Sequence, residues 1–484
     1  MKSEKSLRSI RSTRSSRTLK GVAELYRTDF IDFENVLPMA CAKFDCDYSI
    51  FVKKNQRNDE YLRYLKFADV AKKRISLMPS LAKKDSAATP QEQTQPPNDD
   101  VSEPTTVTSS ILVNTLTVNS IYDSYNSLSE IRLERLKVVP RVLLQIIGFL
   151  APYYKNITKI SIANCRIDGL SVYELSKIVK VSTVTQICLD GSPVAEANYA
   201  ILLDLENLRQ LSLSRCEIDD NVCEQLALKL GLSRSAEHLS FLNLSSNRIT
   251  DTGARSIADS LRTNRYLRYL NLADNRITDD GAYCIFNVLK EFPLTSDEIV
   301  AKRQRYFKYL KERQALYFKY LNDTSIEESK KQASKRKKTS LTSVRSKSSS
   351  ARKEKDTRHF ATLMINDEII RAEMLAKQVL GPFIDPFQPD CIRCKNEHTF
   401  CLGNMVLCYL NMSYNNLSYL SIKTLCEVLT HQKNIRKPPQ TGLIKVVIDG
   451  NNIPIRCPEF FYISEMLSKI YQETMRLKRQ SIIR

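Results

Sequence analysis

The chain has 484 residues, 42% of them apolar, and a formal charge of +19 from 73 Lys and Arg against 54 Asp and Glu, a size that allows two or three domains. Its longest largely apolar stretch, Val142 to Leu150, spans nine residues broken by Gln145 and Gly148 and closes at Pro152, whereas a membrane span needs about 20, so a spanning segment is excluded. The thirteen cysteines are odd in number and irregular in spacing, with Cys165, Cys188, Cys216, Cys408 and Cys426 within or beside the repeat strands described below, a pattern expected of reduced thiols in an intracellular protein.

Residues 1–20 carry seven bases against the single acid Glu4. No apolar stretch follows that would make a secretory signal, and Leu7, Ile10 and Leu19 are too few for an amphipathic leader, so a disordered basic tail is expected. Residues 21–81 are expected to hold short helices without an assignable fold, and residues 82–110 a polar, proline-containing linker.

From residue 111 to 293 the chain repeats the pattern L-x-x-L-x-L-x-x-N/C-x-L, apolar at positions 1, 4, 6 and 11. Two copies are nearly identical: Leu239, Leu242, Leu244, Asn247, Ile249, and Leu267, Leu270, Leu272, Asn275, Ile277. The same template fits at Leu208–Ile218, Val184–Val194 and Ile157–Ile167, with a degenerate copy at Leu128–Val138. Positions 4 and 6 of a strand point to one side and positions 3, 5 and 7 to the other, so the first pair is core. A small polar residue at position 9 hydrogen-bonds loop backbone that lacks a ladder partner. After the two best copies, T-D-x-G-A leads into helical periodicity at Ile257 and Leu261, and at Ile285 and Leu289. Successive position-9 residues lie 29, 27, 24, 31 and 28 apart. Together these predict an α/β leucine-rich-repeat solenoid of the long, ribonuclease-inhibitor-like class, a horseshoe with parallel strands on the concave side and helices on the convex side.

Residues 294–400 lack the pattern and read as an insertion. It opens with a capping box at Thr295 and Glu298 and a charged, Tyr-rich helix to Asn322. Lys330–Lys355 is basic, Ser-rich and expected to be disordered, and a second helix is predicted near Asn366–Val379. Residues 330–359 hold twelve bases against two acids, so with the amino-terminal tail they account for +16 of the net charge. The pattern resumes over 401–484, at Leu407–Leu417 and Leu443–Ile453, and ends in a capping helix from Glu459 to Ile483.

Catalytic chemistry finds no foothold: His238, His359, His398 and His431 sit in no recognised arrangement, and there is no Gly-rich phosphate loop. No enzyme activity and no cofactor are expected. Cys391, Cys394, His398 and Cys401 are suitable zinc ligands by type, but loops of three and two residues after Cys394 are cramped. The competing reading is four loop residues ahead of a strand, and no metal is expected.

The candidate binding site is the concave face, where position 3 carries Lys159, Gln186, Gln210, Phe241, Tyr269, Tyr409 and Lys445. If the repeat at Leu407 stacks on that at Leu267, Phe241, Tyr269 and Tyr409 form one aromatic row, an interface anchor or a self-packed ridge. The basic run at Lys335, Arg336, Lys337 and Lys338 suits an acidic protein surface such as the carboxyl-terminal tails of tubulin; nucleic acid would also attract it, but no nucleic-acid fold accompanies it. No membrane partner is expected.

The stretches SLSRCEIDDNVCEQLALKL and LNLSSNRITDTGARSIADSL, the segment F-x-L-T-x-x-E-I-V at Phe292–Val300, the Lys-rich insert and CLGNMVLCYLNMSYNNLS resemble the leucine-rich repeat-containing protein 71 family over residues 128–453. That resemblance implies an adaptor of the motile cilium or flagellum axoneme, with partners there and no catalytic residues. The alternative function is an intracellular signalling or nuclear regulator that sequesters a protein.

Overall fold

The computed structural model describes residues 32–44, 46–56, 115–232, 238–338, 369–436, 441–454 and 456–483, with backbone only at 232, 324–338 and 477–483. The basic tail, the linker 82–110 and residues 339–368 lie outside the described residues.

The chain begins with α1 (Phe33–Lys43), β1 (Ser49–Gln56), β2 (Thr115–Tyr122) and β3 (Leu128–Glu134). Repeats follow as α2 (Arg141–Leu150), β4 (Lys159–Ala163), α3 (Gly169–Val181), β5 (Gln186–Cys188), β6 (Gln210–Ser212) and α4 (Asp220–Leu232). Next come β7 (Phe241–Asn243), α5 (Asp251–Thr263), β8 (Tyr269–Asn271) and α6 (Asp279–Val288). The insertion holds β9 (Phe292–Pro293), α7 (Ser296–Lys338), α8 (369–380), β10 (Ile392–Lys395) and β11 (His398–Cys401). The chain closes with β12 (Tyr409–Asn411), α9 (Tyr419–Ile435), β13 (Lys445–Val447) and α10 (Pro458–Ile483). Between β5 and β6, where the position-9 spacing is shortest, the helix shrinks to a 3-10 turn at Tyr199–Asp204.

Ten strands form one sheet in the order β1-β2-β3-β4-β5-β6-β7-β8-β12-β13. Every pairing is parallel except the β2–β3 hairpin. The fold is therefore the α/β leucine-rich-repeat solenoid. Helices pack side by side at about 8–10 Å while strands sit about 4.8 Å apart, so such a stack curves with its sheet on the inner side. Ile131, Ile160, Ile187, Leu211, Leu242, Leu270 and Leu410 form one buried column, each at most 2% exposed.

Position 9 ties each repeat to the one before it. The amide of Asn275 donates to Leu244 O, Leu272 O and Ala273 O at 3.0–3.2 Å and accepts from Ile249 N at 3.1 Å. Asn247, Asn415 and Asn451 repeat this arrangement, and Ser192 and the Cys216 thiol take shorter versions of it. Just before each, the chain turns through a left-handed residue: Asn164, Gly191, Arg215, Ser246, Asp274, Tyr414 and Gly450, with φ of 53–73°.

A second ladder runs through the helix starts. Asp251 Oδ1 and Oδ2 accept from Thr278 N and Oγ1 at 2.7 Å and from Gly281 N at 3.0 Å; Asp220 does the same to Thr250 and Gly253. Asp279 does so to Ser418 and Ser421. Burial opposes its ionisation, but these bonds outweigh it and hold the Asp279 carboxyl below its ordinary range.

Several expectations need correction. Residues 21–81 do not hold helices alone: β1 joins the main sheet, because Val52 and Val118 extend the neighbouring buried row of Leu133 and Ile162 where no repeat precedes β3. Glu34 on α1 secures this cap by accepting from Ser120 Oγ at 2.6 Å and Tyr122 OH at 3.0 Å. The basic run expected to be disordered from Lys330 is helical to Lys338, as a continuation of α7; its Lys and Ala are good helix formers. Cys426 stands on α9, not beside a strand.

Replacing Asn275 with alanine strands the Ile249 N–H and leaves Leu244 O, Leu272 O and Ala273 O with one donor fewer, held by Asn247, Asn415 and Ser246 N, so a loss of about 2 kcal/mol is expected in urea-unfolding midpoints. A loss below about 1 kcal/mol would show that water replaces the ladder there.

Candidate partner-binding site

Strand register sets Glu130, Lys159, Gln186, Gln210, Phe241, Tyr269, Tyr409 and Lys445 side by side. The insertion leaves the sheet uninterrupted, since β8 pairs directly with β12, Tyr269 opposite Tyr409. Phe241 and Tyr269 stack with centroids 4.1 Å apart at 14°, and Tyr269 and Tyr409 at 4.1 Å and 6°. Lys445 Nζ lies 5.5 Å from the Tyr409 centroid. Stacked rings hide their negative faces in one another and present their positive edges. Tyr409 is buried, and Phe241 and Tyr269 half-buried.

Position 5 places a second row beside the rings: Ser212, Asn243, Asn271 and Asn411. Their side-chain oxygens are used locally, Asn271 Oδ1 accepting from Ala273 N at 3.1 Å and Asn411 Oδ1 from Ser413 N at 3.0 Å. Among the described residues, no hydrogen bond engages the Nδ2 donors of Asn271 and Asn411. These asparagines stood in the sequence between two core apolar residues, and their value as a row was missed. Ring edges, amide donors and Lys445 together make a surface that favours hydrogen-bond acceptors.

The other end of the face differs. Lys159 pairs with the buried Glu130 at 3.2 Å, and Arg132 binds the same carboxylate at 2.9 Å. Lys159 is thus committed within the protein, whereas Gln210 is exposed. Lys335, Arg336, Lys337 and Lys338 form the last turn of α7, and their side chains lie outside the described residues.

The cysteine–histidine string forms the β10–β11 hairpin, which separates its members. Cys394 pairs with Thr399 and Ile392 with Cys401, so Cys394 and Cys401 share one face while His398, opposite Lys395, is on the other. Cys394 is exposed and Cys401 fully buried beside Arg265, 3.5 Å from its guanidinium. Burial pushes the Cys401 thiol up, away from the thiolate a metal needs.

The insertion is fastened where it leaves. Asn404 N donates to Val288 O at 2.8 Å, so the return point sits on the exit point. Gly403 has φ of +103°, and a Cβ there would lie 2.8 Å from Lys290 O, so only glycine passes. Asn404 then resumes the role of Asn264, donating to Leu261 O and Asn264 O at 2.9 Å. Arg262 of α5 grips Glu298 at 2.7 and 2.8 Å, donates to Pro293 O at 2.9 Å and covers the Phe292 ring at 4.2 Å. Burial raises the Glu298 pKa, but Arg262 and the Thr295 cap outweigh it and hold the carboxyl below its usual value.

The family described as Leucine Rich repeat matches residues 235–258 and 263–286, the two best copies. No curated protein matches the chain. Among solved structures, leiomodin-1 actin-binding site 2 is similar at 12% identity and a TM-score of 0.28, over 58% of this chain and 92% of that one. The tropomodulin carboxyl-terminal domain of Caenorhabditis elegans is similar at 16% identity and a TM-score of 0.23, over 28% of this chain and 82% of that one. Overlaps this low carry no argument about what this chain binds.

Arg262→Ala leaves the half-covered Glu298 without its cation, at an expected cost of roughly 2–4 kcal/mol. Amides of β9 and the first turn of α7 should exchange faster. In the parent, a depressed carboxyl stabilises above the ordinary 4.5 and loses that contribution as pH falls through its lowered value. Arg262→Ala should show a smaller acid-side loss, the Thr295 cap retaining the rest, and an unchanged pH profile would rule out the joint.

Proposed function

We propose that the chain is a non-enzymatic scaffold that docks a protein partner on the row formed by Phe241, Tyr269 and Tyr409, with Gln210 and Lys445 at its ends. The single observation behind this is the ring stack beside the Asn271 and Asn411 amides. Three rings held rigid by stacking lose little side-chain freedom on binding, which is how aromatic anchors act at interfaces. Lys159, tied to Glu130, would serve the shape of the face more than contact with the partner.

The cellular setting we propose is the axoneme of a motile cilium or flagellum, where the partner is a structural protein. This rests on the resemblance over residues 128–453, whose most particular segment, Phe292–Val300, forms β9 and the start of α7. Lys335, Arg336, Lys337 and Lys338 would add salt-sensitive attachment to an acidic surface, tubulin tails among them.

Tyr269→Ala, at the centre of the row, should weaken partner binding roughly 10- to 100-fold with the chain still folded, its unfolding midpoint lowered by the loss of two ring stacks, roughly 1–3 kcal/mol. In a cell with a motile cilium, the tagged protein should remain on the axoneme after detergent extraction. Release into the soluble fraction or a nuclear signal would reject the axonemal setting, and a Tyr269→Ala variant that binds normally would reject the docking row.

A further inference from the structure

The insertion carries an apolar surface that the concave row does not use. On α7, Val300, Phe307, Leu310 and Phe318 are 48, 59, 37 and 50% exposed. Val300, Phe307, Leu310 and Tyr317 lie at steps of seven, three and seven residues, the spacing at which one side of a helix meets another helix. Midway along it, Leu310, Arg313, Gln314 and Tyr317 face Ile369, Glu373 and Ala376 of α8 across an open cleft.

The cleft is held in shape. Arg305 binds the buried Asp385 at 2.6 Å, Tyr309 OH donates to Gly381 O at 2.9 Å, and Arg313 pairs with Glu373 at 3.2 Å. Tyr306 and Tyr309 pack on Phe383 at 5.1 and 5.3 Å. With the Arg262–Glu298 joint at its base, the two-helix arm stands as a formed surface, which lowers the ordering cost of docking.

Charge selects the occupant. Arg303, Lys308, Lys311 and Lys319 are exposed along α7, and Lys311 Nζ lies 4.7 Å from the Phe307 centroid. The helix carries thirteen bases against six acids. Two copies laid side by side would repel, whereas a helix with acidic flanks is attracted.

We infer that α7 and α8 form a second docking surface, which receives an amphipathic helix from another protein. Its apolar side covers Phe307, Leu310 and the cleft, and its Asp and Glu meet Arg303, Lys308 and Lys311. This surface shares no residue with the concave row, so either can fail without the other.

The test is fluorescence anisotropy of the full chain with a labelled synthetic helix bearing Leu at heptad positions and Glu on the flanks. Binding is expected, weakened by added salt. Phe307→Ser with Leu310→Ser, or Lys308→Glu with Lys311→Glu, should weaken it about tenfold or more, and Tyr269→Ala should leave it unchanged. Parent-like thermal melts of these surface variants keep a loss from being read as unfolding. The inference is overturned if the peptide does not bind, if a Lys-flanked peptide binds as well, or if the substitutions have no effect. Two further results overturn it: flotation with phosphatidylserine vesicles that the variants abolish, which means a lipid surface, and a sedimenting dimer that they abolish, which means a second copy.

Discussion

The structure depends on one constraint: each strand of the solenoid ends in a turn whose buried carbonyls and N–H groups have no strand partner, so a side chain must supply the bonds. Asn275, Asn415 and Asn451 do this with both ends of one amide, the oxygen accepting from the repeat before and the nitrogen donating across both repeats. The repeats are therefore coupled units, each completing its neighbour. The same constraint imposes the left-handed residue just ahead, which accounts for non-glycine positions such as Asp274 and Tyr414 adopting positive φ.

That coupling explains how a long insertion is tolerated. What must be preserved is the contact between the repeats on either side, and it is: Asn415 accepts from Ile277 N and donates to Leu272 O as though the chain had never departed. Asn404 and Gln432 do the same at the opposite edge, Gln432 bridging Leu289 O and Leu443 N. Since loop-closure entropy grows slowly with length, a well-held splice point matters more than the size of what it emits. Closing the splice also brings Tyr409 onto Tyr269, so the aromatic row exists only because the insertion is expelled from the sheet.

Two surfaces of different chemistry result. The concave row is nearly neutral, built from stacked rings and amide donors, and rigid through the sheet. The arm of α7 and α8 is basic and apolar, and it is rigid through ion pairs and a shared aromatic cluster. Forty-three residues of helix reach about 65 Å.

The solenoid was legible because its burial pattern is periodic and local: Leu242, Leu244, Asn247 and their equivalents announce strand, turn and core without reference to anything distant. Position 3 was legible for the same reason, since strand alternation alone turns Phe241, Tyr269 and Tyr409 outward. Periodicity says nothing about pairing between segments far apart in the chain. It took the folded chain to place β1 against β2, a strand of no motif recruited because the buried row needs a cap. Likewise it split Cys394 from His398 across a hairpin, engaged Lys159 with Glu130, and joined Arg262 to Glu298. Each depends on which side chain arrives opposite which, and that is decided by register and by the need to pair buried charge, not by the residues within any one segment.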